Sequence, residues 1–216
     1  MPAVTEKLHA LRDLLAHRFP DATLAAQGRR IATGLPAIDN ATGGVPAGAI
    51  TEIVCGAPSS GSLLLLACVL QACRQQHLRV ALVDGADGFD PQSFAHDALA
   101  HLVWVRCRHL HETMQVADLF ARDANFGLVF LDVRGLSERE LRREPSTSWY
   151  RLQRAVEQSG LPLLIETPCS LVPSATLRFV LERSHAISAL EDERPTLTAQ
   201  LTPTVQRQRL QVASAG

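Results

Sequence analysis

The 216-residue chain carries 21 Lys and Arg against 22 Asp and Glu, a balance that excludes nucleic-acid binding by bulk positive charge and leaves only a local patch. With 46% hydrophobic residues and ordinary Gly and Pro usage, the composition is neither disordered nor collagen-like. A chain of this size buries roughly 70% of its extended surface on folding, so disulfides and metals are not needed for stability. Lys7 is the only lysine; chemistry that needs a lysine amine must use it or fail. Five cysteines, at 55, 68, 73, 107 and 169, form no CxxC pair, and MPAVTEKLHA has no signal-peptide core, which together point to a reducing compartment. The run LLLLACVL at 63–70 is too short to cross a bilayer. The expectation is a soluble cytoplasmic protein without membrane contact.

In chain order, residues 3–16 place Leu8, Leu11, Leu14 and Leu15 on one stripe of a short helix, packed on its own domain or docked on a partner or neighbouring subunit. Pro20 and Gly28 then interrupt any period, so 1–30 reads as N-terminal helix and linker. From Ile31 short strands and helices alternate: ITEIVCG (50–56), a loop, a helix over 62–76, RVALVD (79–84), HLVWVR (101–106), a helix over 111–123, GLVFLDV (127–133), a helix over 149–160, and LPLLIET (161–167). Strands this uniformly apolar belong in a parallel or mixed sheet with helices on both faces, an α/β fold. The core domain is expected over 31–190. The segments 176–185 and 197–212 read as outer strands joined by a turn at Glu191–Pro195, with 191–216 as terminal strand and tail.

Strand, glycine, short loop, glycine, helix is the arrangement whose amides cradle phosphate. Here it spans Gly56, Ala57, Pro58, Ser59, Ser60, Gly61, Ser62 and Leu63. The glycines keep the spacing of GxxxxGK[ST], but Ser62 stands at the lysine and Leu63 at the metal-binding hydroxyl. Both groups supply charge stabilisation in phosphoryl transfer. Asp132 ends the strand GLVFLD, where a Walker-B aspartate would sit, and Asp84 ends RVALVD.

From about Ile31 to Leu136 the chain resembles the RecA recombinase family, on four ordered blocks: the TG…ID…GGVPAG lead-in, the strand into the phosphate loop, VDGADGFDP, and the Walker-B-like strand. The resemblance implies a RecA-like P-loop core with a mostly parallel central sheet and a leading N-terminal helix. In that family a glutamate two positions beyond the second strand-end aspartate activates water; the matching residue is Ala86, with Asp87 one place off. The combination resembles a degenerate ATPase used as a noncatalytic scaffold, with no cofactor. Length and eroded loop are most similar to the ImuA family of translesion-synthesis accessories. That likeness implies a role in DNA-damage-induced mutagenesis within the SOS response, beside an ImuB-like Y-family protein and a specialised DNA polymerase. RecA, single-stranded DNA and a second copy of the chain are further candidate partners. The alternatives are a SulA-like division inhibitor that binds FtsZ, and an ATP-binding or ATPase protein whose missing cation comes from a partner's arginine.

Residues 134–154 hold six arginines against three glutamates. Arg139, Arg142, Arg143, Arg151 and Arg154, with Trp149 among them, could bind single-stranded DNA by phosphate contact and stacking, dock a partner, or form a solvated helix face whose glutamates pair the arginines while Trp149 and Tyr150 help cover the core. Cys107, His109 and His111 alternate, but the onset of a helix breaks the pattern, so no metal site is expected. No GxSxG accompanies the loop serines, and the cysteines lack an activating partner.

Overall fold

The computed structural model describes residues 28–123 and 125–208. The leucine stripe at 8, 11, 14 and 15 and the tail beyond Gln208 lie outside the described residues. Arg30–Gln208 forms one compact unit.

The apolar runs become the middle of a sheet because each is buried on both faces. They are β3 (Ile50–Val54), β4 (Val80–Asp84), β6 (Leu128–Asp132) and β7 (Leu163–Thr167), every residue of which is buried. With β5 (Leu102–Arg106), β8 (Leu177–Val180) and β9 (Thr204–Gln208) they form a seven-stranded sheet in the order β5-β4-β6-β7-β3-β8-β9. All neighbours run parallel except β9, which is antiparallel to β8. A separate antiparallel pair, β1 (Arg30–Ile31) and β2 (Val45–Pro46), flanks α1 (Pro36–Thr42).

Helices cover both faces. On one side α2 (Ser62–Gln75) sends Leu65, Leu66, Val69 and Leu70 against Ile53, Leu82, Phe130 and Phe179. On the other, α4 (Leu110–Ala121) and α6 (Ser146–Ser159) bring Met114, Trp149, Leu152 and Val156 onto Val83, Val129, Leu131 and Ile165. Successive residues of one strand thus feed two cores. Two single-turn helices, α3 (His96–Leu99) and α5 (Glu138–Leu141), precede β5 and α6.

Register fixes the chemistry. Asp84 pairs with Asp132 across β4 and β6, and Asp132 with Glu166 across β6 and β7, so three carboxylates line up near the C-terminal ends of adjacent strands.

The C-terminal part differs from the expected pair of long strands. After β8 the chain makes a 3-10 turn (Ile187–Glu191) and a helix α7 (Arg194–Ala199) before the short β9. Pro195, in the first turn of α7, has the fixed φ and missing N–H suited to a helix start. Among the described residues no helix is long and apolar enough to cross a membrane.

Candidate functional site

The loop between β3 and α2 keeps the shape of a phosphate cradle. Ser59 and Gly61 lie in the left-handed region, at φ 55° and 87°, and the amides of Ser59, Ser60, Gly61, Ser62 and Leu63 have no acceptor among the described residues. A segment following β8 lies across it. Ser184 Oγ donates to the Pro58 carbonyl at 2.6 Å, the His185 N–H donates to the Ser59 carbonyl at 2.9 Å, and Leu201 packs so close that a Cβ at Gly61 would sit 2.3 Å from its Cδ2. Loop and segment wall a cavity of about 830 Å³ that also reaches Ala86, Asp132, Arg134, Pro168 and Leu197.

Ser62 is buried, and Leu63, at the hydroxyl position, is 38% exposed with no polar atom to offer. The positive charge missing from the loop arrives from β6. Arg134 lies two residues beyond Asp132, and its guanidinium meets both carboxylate oxygens, with Nε at 3.1 and 3.0 Å and Nη2 at 2.9 Å. Its Nη1 donates to Ser62 Oγ, and its Nε stands 3.2 Å from Glu166 Oε2. Burial opposes the guanidinium's charge, but Glu166 and Asp132 outweigh it and hold the group protonated beyond its usual range.

Glu166 is buried deeper than its partners. Desolvation and the adjacent Asp132 push its carboxyl up to about 8, against the pull of Arg134. Both carboxylates face the Arg134 guanidinium, with the shorter contacts at Asp132. Burial, helped by Glu166, also raises the Cys55 thiol far above its usual range, which makes it a poor nucleophile.

The position expected to activate water holds Ala86. Its neighbour Asp87 turns toward Arg106 at 3.4 Å, on the exposed side. Asp84 accepts from the N–H groups of Ala86, Gly88 and Phe89 and from Trp104 Nε1, so it organises the loop after β4. These residues do not fit a magnesium nucleotide: lysine, metal-binding hydroxyl and water-activating carboxylate are replaced, and the strand-end aspartate already holds a guanidinium.

Site residues predicted from sequence separate into two places. Gly56, Ser59, Ser60, Gly61, Ser62, Leu63 and Asp132 line the cavity. Arg139, Arg142, Arg143, Arg151 and Arg154 are exposed on α5, α6 and the turn between them. Arg142 pairs with Glu138 at 2.5 Å and Arg151 approaches Asp118 at 3.5 Å, whereas Arg139, Arg143 and Arg154 have no ion-pair partner among the described residues. Trp149 does not belong to this surface. It is 2% exposed and packs in the core, because the helical stripe of Trp149, Leu152, Ala155 and Val156 faces the sheet; Tyr150 is the exposed aromatic.

Sequence reasoning missed Arg134, Glu166 and Leu201 as parts of the site. Two signals were available: an arginine two residues past the strand-end aspartate in a chain with no loop lysine, and a carboxylate inside the apolar run LPLLIET.

No protein-family model matches the chain, and no curated protein matches it. Among solved structures, the chain is similar to the RadB recombinase, with a TM-score of 0.55 and 19% identity over 69% of this chain and 82% of that one. This likeness shows the fold: a RecA-like P-loop α/β core, as the sequence resemblance implied.

Proposed function

We propose that this chain is a noncatalytic RecA-like accessory protein of DNA-damage-induced translesion synthesis. It works by holding partner proteins, an ImuB-like Y-family protein and a specialised polymerase, rather than by turning over nucleotide. The observation that carries the noncatalytic half is the side-chain set on the cradle: Ser62, Leu63 and Ala86 stand where a lysine, a hydroxyl and a carboxylate would act. The RecA-like fold, with the ImuA-like length and eroded phosphate loop, supports the pathway. The exposed arginines of α5 and α6 supply the docking surface.

Two measurements test this reading. Purified protein incubated with magnesium ATP, with and without single-stranded DNA, is expected to release phosphate no faster than a buffer control; turnover abolished by Asp132→Ala overturns the noncatalytic reading. Capture from damaged cells, with nuclease added, is expected to recover a translesion polymerase component. Recovery of the tubulin-like division protein instead favours the SulA-like reading.

A further inference from the structure

We infer that Arg134 is the built-in cation of the degenerate phosphate site, standing in for both the loop lysine and the bound metal and keeping the site in one ligand-independent state. The inference rests on the noncatalytic reading and says how the eroded site holds together. A strand-end aspartate beside a glutamate in a buried pocket is costly unless a cation accompanies it. In a nucleotide-binding loop, lysine and metal provide that cation; here neither side chain that would recruit them is present. Arg134 is placed to do both jobs. One edge of its guanidinium closes on Asp132, its Nε reaches Glu166, and its remaining nitrogen reaches Ser62 at the lysine position.

The geometry is also exclusive. A divalent ion approaching Asp132 would have to displace a fork that engages both oxygens, and such planar bidentate contacts are among the stronger charge-assisted hydrogen bonds. Gly135 follows directly, where a Cβ would meet Ala86 Cβ at 2.5 Å, so the chain leaving Arg134 has little room to shift. The guanidinium thereby ties β6, β7 and the start of α2 together without any ligand.

The test is a double-mutant cycle read by thermal unfolding. Arg134→Met should lower the midpoint by about 10 °C, the size expected for stranding a buried charge in a domain of this length. Asp132→Asn in the Arg134→Met background should restore at least half of that loss, because it removes the stranded charge. Arg134→Lys keeps the charge but not the fork and should fall between parent and Arg134→Met. Parent protein should show the same midpoint with and without magnesium ADP. The inference is overturned if the Asp132→Asn and Arg134→Met effects simply add, or if magnesium ADP raises the parent's midpoint. Should Arg134→Met fail to fold, the Asp132→Asn/Arg134→Met and Arg134→Lys proteins carry the comparison. ATP turnover would sink the noncatalytic reading, and the inference with it, whereas an additive cycle without turnover would sink the built-in cation alone.

Discussion

Arg178 on β8 donates through Nε to Glu52 on β3 at 2.5 Å, and Glu52 is wholly buried. The other Glu52 oxygen accepts from Thr167 Oγ1 at 3.0 Å and from the N–H groups of Leu171 and Val172 at 2.7 and 3.1 Å. One carboxylate therefore anchors the entire connection between β7 and β8. Glu52→Ala leaves Arg178 without its carboxylate and two loop amides without an acceptor. The expected cost is about 3–5 kcal/mol in denaturant unfolding, with cleavage at 168–176 as the first event under limited proteolysis.

Glu166 predicts a pH dependence. Its folded pKa of about 8 lies above that of an unfolded glutamate, so its contribution is fully present below the unfolded value and is lost as pH rises toward and through about 8. Glu166→Gln removes the titrating group. Relative to parent, the variant should gain stability between pH 5 and pH 9, measured as the difference in denaturation midpoint at the two values. A difference that stays flat with pH would show that Glu166 does not carry a raised pKa.

Restoring the consensus lysine should not restore the site. Ser62→Lys places an ammonium in a buried position already reached by the Arg134 guanidinium. Like charges at such a distance repel, and the variant should unfold at a lower temperature than parent. Adding Arg134→Ala should recover much of the loss, since the new lysine then has Asp132 as its partner. Calorimetric unfolding of the single and double variants checks the order.

The arginines of the proposed docking surface differ in their neighbours. Arg142 and Arg151 have carboxylates within 4 Å, while Arg139, Arg143 and Arg154 have none among the described residues. Replacing the latter three with serine should leave the melting midpoint within about 1–2 °C of parent, since isolated surface substitutions cost little. The same variant should lose capture of the translesion partner in the presence of nuclease. If the surface instead contacts DNA, the loss will appear as a flattened salt dependence of DNA affinity.

The central strands were legible because β3, β4, β6 and β7 are buried on both faces, which leaves a continuous apolar run in the sequence. The phosphate loop was legible from two glycines at fixed spacing between a strand and a helix. Arg134 was not, because its role depends on a register that sets Asp132 beside Glu166 and on a loop 72 residues earlier; local composition only assigns it to a basic stretch. Leu201 was hidden for a related reason, since it reaches Gly61 only after α7 has turned the chain back. For Trp149 the sequence left surface and core both open, and the stripe it shares with Leu152, Ala155 and Val156 decides for the core.

The chain has two tryptophans, and the fold gives them opposite optical surroundings. Trp149 is sealed beneath α6, while Trp104 is only partly buried, with its indole N–H 3.3 Å from Asp84 and the Arg106 guanidinium 5.0 Å from its ring centroid. A neutral quencher in solution should therefore reach Trp104 first and leave a blue-shifted emission from Trp149. That residual signal comes from the inner face of the helix whose outer face carries Arg154 and Tyr150, so it offers an unlabelled spectroscopic reporter of anything that levers α6 away from the sheet.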